Sequence, residues 1–337
     1  MLSRQLLTSA SVVLFLYCGV AAPSVRAQDP EDVIRTETDL TNVLLTVTDK
    51  QKRLITTLNE QDLRVLEDGV PQKLFTFQRE TDRPLALAFL IDISSSEERT
   101  LPDEKAAART FIQTILRSEK DQAAIIPFTD YAYLAQELTN NVLGIYAALE
   151  TVEVASPTYL GKGHPISGIV SHPGGVANPR EGTTAIWDAI TVTSSQILTH
   201  STGLRRRAII LFTDGIDSSS RKTRAEAIAT AIDSDTVVYV IGIGDSRFGN
   251  IHRDELNQVA DRTGGRAFYP KKGADLAAAF AELEAELRSQ YLLAYSSSNK
   301  KRDGAFRQTQ VEVVNPELQK QKLVLRYRPG YYAKPMQ

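Results

Sequence analysis

One cysteine in 337 residues removes disulfides, thiol nucleophiles and thiolate metal sites from the possibilities almost at once. Cys18 lies in an apolar N-terminal segment, and cleavage after Ala27 leaves a chain with no cysteine. Tyr17, directly before it, is a poor fit to a lipoprotein signal, which wants a small residue there. A large core must therefore stand in for staples. The four histidines, His164, His172, His200 and His252, show no ligand spacing, so a zinc site of the usual kind is not expected. An excess of one charge is missing too: 39 Lys and Arg against 41 Asp and Glu leave a net charge of -2. That excludes the basic field expected of a nucleic-acid or anionic-membrane partner. Arg205-Arg206-Arg207 is too short to alter this and reads as the solvated lead-in to a strand. There is no G-x-S-x-G elbow, no G-x-x-x-x-G-K-[ST] phosphate loop and no H-E-x-x-H. These absences weigh against an enzyme, a metal-assisted hydrolase included.

What is present is an ordinary globular composition, 42% hydrophobic and 24% charged, long enough for about two domains. The first residues read as a secretory signal over 1–27. Arg4 supplies the positive start, and Val12 to Tyr17 begins an apolar segment too short to span a bilayer comfortably. Val25-Arg26-Ala27 then supplies small residues at a cleavage site. An exported protein, periplasmic or secreted, with no membrane span after cleavage is the expectation.

Three zones follow. Residues 29–82 have strand-and-turn character: Asn42 to Thr48 alternates with period two, and Asp68-Gly69 turns the chain before Gln72 to Phe77. Residues 84–290 alternate buried strands with helices. Leu85 to Ile91, Ala123 to Phe128, Ala208 to Phe212 and Val237 to Ile241 are continuous apolar runs, as expected of parallel strands covered on both faces. Helices are expected at about Asp103–Lys120, Asn141–Glu150, Ala185–Thr199, Thr223–Asp233, Arg253–Thr263 and Ala274–Ser289. Residues 291–337 return to period two. The fold class is therefore α/β: a doubly wound, mostly parallel sheet flanked by helices, with a small β domain formed by the N- and C-terminal flanks. One stretch, Ala155 to Gly182, is rich in Gly, Pro and Ser and has no period, and a loop of that length is usually functional or disordered.

Ligands of an open parallel sheet bind beyond the carboxyl ends of its strands, at the switch point of strand order. Asp92-Ile93-Ser94-Ser95-Ser96 follows the first buried strand, and Thr213-Asp214-Gly215 follows the Ala208–Phe212 strand. Glu181-Gly182-Thr183-Thr184-Ala185-Ile186-Trp187-Asp188-Ala189 opens a helix between them. Only carboxylates and hydroxyls stand there, which suits Mg²⁺, Mn²⁺ or Ca²⁺. Such loops supply several oxygens without completing an octahedron, and a carboxylate from another molecule could fill the open position.

The order D-x-S-x-S, then G-x-T-A-[IL]-[WY]-D-A, then F-T-D-G resembles the von Willebrand factor A family and its metal-ion-dependent adhesion site. Carried over by motif, the resemblance implies a metal held by Asp92, Ser94, Ser96, Thr184 and Asp214. Serine and threonine hydroxyls would meet it directly or through water, and the aspartates would often do so through water. Thr183 is the neighbouring alternative to Thr184. Glu97, Thr183 and Gly215 fall at the rim, and Glu97-Glu98 stand where many relatives have a small or apolar residue. Ile125 to Asp130 and Val240 to Asp245 are also similar to family segments, and the likeness covers about Pro84 to Gln290. The flanks, Leu63 to Gln72 and Arg328 to Tyr332, resemble those of exported A-domain proteins known mainly from acidobacteria. Taken singly, the motifs are weak: a Ser-rich loop often only caps a helix, and T-D-G is a common turn. Asp188 and Asp217 are expected in solvated cap or surface roles, and Trp187 packed against the sheet. The implied function is non-enzymatic, metal-dependent binding of a protein or glycan that presents an acidic group. The alternative is a structural scaffold of the cell envelope in which the metal only stiffens loops.

Overall fold

Four strands precede the long apolar runs: β1 (Leu40–Thr48), β2 (Leu63–Glu67), β3 (Val70–Gln72) and β4 (Leu74–Arg79). The alternating unit comprises β5 (Leu85–Asp92), α1 (Leu101–Ile115), β6 (Gln122–Phe128), β7 (Tyr133–Leu134), β8 (Gln136–Thr139), α2 (Val142–Glu150) and β9 (His164–Pro165). It continues with α3 (Ile186–Val192), β10 (Arg206–Thr213), α4 (Arg224–Asp233), β11 (Thr236–Gly242), α5 (Arg253–Thr263), β12 (Ala267–Phe268) and α6 (Gly273–Leu287). Then come β13 (Tyr291–Ser296), β14 (Phe306–Val313), α7 (Pro316–Lys320), β15 (Val324–Arg326) and β16 (Gly330–Tyr332). The computed structural model describes residues 40–79, 82–155, 164–166, 183–201, 205–214, 216–243, 252–271 and 273–335. The expected leader over 1–27, most of the loop after Ala155, with His172, and Gly215 lie outside them.

The central sheet has the order β12-β11-β10-β5-β6-β8, parallel throughout except for antiparallel β8 at its edge. Every residue of β5 is buried, because helices cover both faces. Leu85, Leu87, Phe89 and Ile91 pack with Phe111 of α1, Leu149 of α2 and Phe280 of α6. Ala86, Ala88 and Leu90 face the other way, toward Trp187 of α3, Ile232 of α4 and Val259 of α5. The pleat thus sends alternate residues to opposite layers, and the layers close around a doubly wound α/β sheet. Burying each large side chain contributes about 1.5–3 kcal/mol.

Helix ends follow local chemistry. α1 starts with Pro102, Asp103 and Glu104 in its first turn, which suits the unsatisfied amides and positive end of the dipole there. α4 begins with a capping box in which Thr223 and Glu226 bond each other's backbone amides. α5 stops at Gly264, whose φ of 88° is open to a residue without Cβ. Two expectations change: the helix expected to run to Lys120 ends at Ile115, with Leu116 already extended. The helix expected through Thr199 is α-helical only to Val192, then widens to a π turn over Thr193–Ile197 and tightens to a 3-10 turn over Leu198–His200. Hydroxyls of Thr191, Ser195 and Thr199 each bond the carbonyl four residues back, and such back-bonding loosens a helix.

The flanks form two antiparallel sheets, ordered β15-β1-β13-β4 and β16-β14-β2-β3. Val43 and Leu45 of β1, Val65 of β2, Tyr291, Leu293 and Tyr295 of β13 and Val311 of β14 share one core. The buried Tyr291 hydroxyl accepts from the Leu58 amide and donates to the Ile55 carbonyl, so its polar end is satisfied. Among the described residues no helix is long and apolar enough to cross a membrane.

Candidate metal centre

β5 lies between β6 and β10, so consecutive crossovers leave it in opposite directions. That reversal opens a crevice at the carboxyl ends of β5 and β10, where Asp92 and Asp214 stand. The chain beyond β5 turns sharply. Ile93 donates its amide to the Phe128 carbonyl, and Ser94 starts a 3-10 turn over Ser95–Arg99. Thr184 precedes α3, and two contacts tie its segment to the other loops. The Ala185 amide bonds the Thr129 carbonyl at 2.7 Å, at the end of β6. The amides of Ser218 and Ser219, beyond β10, both bond the Thr184 carbonyl. The three segments named by the motifs are thus gathered at one end of the sheet.

Asp92 is fully buried. Its Oδ1 accepts from the Ser94 amide at 3.0 Å and its Oδ2 from the Thr213 hydroxyl at 2.7 Å. The Ser94 and Ser96 hydroxyl oxygens lie 3.0 Å apart, Ser94 buried and Ser96 exposed. Asp214 is half-buried, with Oδ1 3.4 Å from the Ile216 amide nitrogen. Thr184 is buried, and its own amide bonds the Ser218 hydroxyl. Thr183 is half-buried beside it.

Glu97 departs from expectation. It is 1% exposed and stands inside the site instead of at its rim. Carboxylate oxygens of Asp92, Glu97 and Asp214 all lie within 4.8 Å of one another. The reason is geometric: the tight turn after Ser94 sends Glu97 inward and leaves Glu98 outside. Glu104, in the first turn of α1, is 1% exposed and approaches Glu97 from behind. Neither of its oxygens, nor Oε1 of Glu97, accepts a hydrogen bond among the described residues.

Electrostatics follow from this crowding. Burial pushes Asp92 up to about 7; hydrogen bonds from Ser94 and Thr213 oppose the rise and the charge of Asp214 adds to it. Burial, then the charges of Glu104 and Asp92, push Glu97 up strongly. Burial also raises Glu104. Like charges taken out of water prefer a proton or a cation between them. A hard divalent ion fits this donor set: carboxylates and hydroxyls with no sulfur, one of whose buried oxygens, Oε1 of Glu97, has no other partner among the described residues.

The neighbouring aspartates hold structure. Asp217 caps α3 by accepting from the Ile186 amide, and burial raises it. Asp188 is buried, contrary to a solvated role, because it accepts the amides of Arg221 and Lys222. Trp187 packs on the sheet as expected. His200 bonds within its own helix end, and His252 precedes α5. The sequence offered one missed signal for the buried carboxylates: Glu97 and Glu104 are seven residues apart across a turn and a helix start.

The profile of the von Willebrand factor type A domain matches residues 86–282, more than half of the chain. No curated protein sequence matches. Among solved structures, proximal thread matrix protein 1 of the mussel byssus is similar over 66% of this chain and 51% of its own, at 16% identity and a TM-score of 0.50. This chain therefore spans about half the length of that relative. A structure of the same mussel protein with a zinc-occupied MIDAS motif is similar over 66% of this chain and 50% of its own, at 17% identity and a TM-score of 0.49. A von Willebrand factor type A protein from Catenulispora acidiphila is similar over 90% of this chain and 75% of its own, at 14% identity and a TM-score of 0.47. At these identities the likeness speaks to fold.

Proposed function

This chain belongs to the von Willebrand factor type A domain family, and on that premise we propose that it is an exported binding protein whose divalent ion captures an acidic group on a partner protein. The observation that carries the reading is the convergence of three carboxylates within 4.8 Å at the switch point of the sheet. Asp92, Ser94, Ser96, Thr184 and Asp214 are the proposed metal residues, with Mg²⁺ the leading ion and Mn²⁺ or Ca²⁺ able to replace it. Thr183 and Gly215 border the opening. The two flank sheets, drawn from 29–82 and 291–337, act as one β unit that carries the metal-binding domain of 84–290. The protein works by binding and not by catalysis, in keeping with the interaction modules of its family.

Calorimetry with Mg²⁺, Mn²⁺ and Ca²⁺ tests the reading against an Asp92→Ala/Asp214→Ala double variant. One saturable site, lost in the variant while the fold persists, is the expected result. Equal binding by both proteins, or none by the wild type, would sink it. A second reading, a scaffold stiffened by its ion, draws on the backbone bonds that join the three loops. It predicts a higher melting temperature with metal but no metal-dependent capture of acidic protein.

A further inference from the structure

The motif-derived ligands leave two buried carboxylates beside them unexplained, Glu97 and Glu104. Glu97 reaches the same point as Asp92 and Asp214, yet it belongs to none of the three motifs. Its Oε2 accepts from the Thr100 hydroxyl, one residue before α1, and its Oε1 has no partner among the described residues. Neither oxygen of Glu104 behind it has a well-formed hydrogen bond among the described residues, and the polar groups nearest to it are the side chains of Glu97 and Thr100. Among the described residues no lysine, arginine or histidine forms an ion pair with Glu97 or Glu104. Two buried carboxylates with a single hydroxyl, that of Thr100, between them and no counter-charge are among the least favourable arrangements a fold can hold, and without a cation little offsets them. A purely structural role does not account for them, because an apolar pair of similar volume would pack at no electrostatic penalty.

We propose that Glu97 is itself a ligand of the ion, filling the coordination position that a partner's carboxylate would otherwise take, with Glu104 as a positioning residue behind it. The centre is then closed by its own chain, and an acidic partner must displace Glu97 to bind. This rests on the metal reading above and adds to it an internal competitor. The charge of the donor set rises by one with Glu97, which tightens the hold on a hard cation. Glu104 strengthens the field that draws the cation, and its contact with the Glu97 carboxyl helps hold that group in place.

Terbium luminescence on the full chain, freed of metal with EDTA, gives both an affinity and the number of waters on the ion. Wild type is expected to bind one Tb³⁺. Glu97→Ala should bind it about 100-fold more weakly and with one additional water, and Glu104→Gln about 10-fold more weakly with the water count unchanged. Acetate, as a probe of the vacated position, should displace water from Tb³⁺ in Glu97→Ala and not in the wild type. A Glu97→Ala protein with wild-type affinity and water count overturns the inference while leaving the metal centre intact. Failure of the wild type to bind any ion overturns both. A second measurement guards against a damaged fold. In EDTA, Glu97→Gln should melt above the wild type, because an uncompensated buried carboxyl is gone, and it should gain less from Ca²⁺. A Gln variant that melts lower in EDTA counts against the proposal.

Discussion

The two ends of β5 place a buried aspartate in opposite electrostatic company. At the amino end, the Leu85 amide donates to Asp121 at 2.8 Å. Arg117 donates to the same carboxylate through its backbone amide and its guanidinium, and Arg288 reaches it at 3.2 Å. Burial raises Asp121, but Arg117, the Leu85 amide and Arg288 outweigh it and hold the carboxyl at about 2. At the carboxyl end, Asp92 is as fully buried, yet its neighbours are hydroxyls, an amide and further carboxylates, and it rises to about 7. Satisfied charge marks a joint of the fold. Unsatisfied charge of one sign, gathered where a parallel sheet opens, marks a place kept for something the chain does not supply.

Breaking the satisfied end should have the largest effect. Asp121→Ala leaves Arg117 and Arg288 without their shared carboxylate and the Leu85 amide without its acceptor. A loss of about 3 kcal/mol is expected, at the lower end for a buried pair because both arginines keep some solvent. Chemical denaturation with EDTA and with Mg²⁺ checks this, and the loss should be the same in both. A loss that vanished with metal would erase the contrast between the two ends.

The pH dependence should separate the ends next. Asp92, Glu97 and Glu104 titrate higher folded than unfolded. Their contribution is therefore full below about pH 4 and is lost as pH rises toward and through 7. Asp121 is shifted the other way, so its contribution stands above about pH 4 and is lost as pH falls through 2. In EDTA, stability should drop between pH 5 and 8 by at least about 3 kcal/mol, which Asp92 alone would contribute. Saturating Mg²⁺ or Ca²⁺ should offset that drop, so the gain in melting temperature from metal grows with pH. A metal gain independent of pH would separate the raised carboxyls from the ion.

Removing one donor at the open end should have a smaller effect. Thr213→Val deletes the hydroxyl that donates to Asp92 Oδ2. About 1–2 kcal/mol of stability should go in EDTA, since the acceptor stays buried. With metal bound the loss should shrink, because the ion takes over that oxygen. Paired denaturation curves with and without Ca²⁺ would show whether it does.

How much of this could be read from sequence follows the range of the interactions. The apolar run Leu85 to Ile91, D-x-S-x-S after it and T-D-G after Phe212 carry their own signal, because strand period and hydroxyl spacing are local. The division of β5 between two layers follows from the same alternation. Glu97 and Glu98 look alike in sequence, and only the turn after Ser94 decides which of them enters. Glu104 reads as an ordinary acidic residue in a helix's first turn until α1 is packed behind that turn. Asp121 carries no motif: its role exists only once β6 lies beside β5 and α6 delivers Arg288. The breakdown of the helix after Val192 depends on three hydroxyls bonding backward, which hydrophobic period does not register.

Glu98→Gln should have the smallest effect, and it isolates position from charge. Glu98 adjoins Glu97, carries the same group and points to solvent. If the excess of acid near the opening were what mattered, neutralising Glu98 would weaken the ion as neutralising Glu97 does. Burial argues otherwise, because an exposed charge near the ion is screened by water and salt. Stability within about 0.5 kcal/mol of wild type and unchanged Tb³⁺ affinity are expected. A tenfold weakening in this variant would mean that the diffuse field of the loop draws the ion, and that the inward turn of Glu97 is incidental to it.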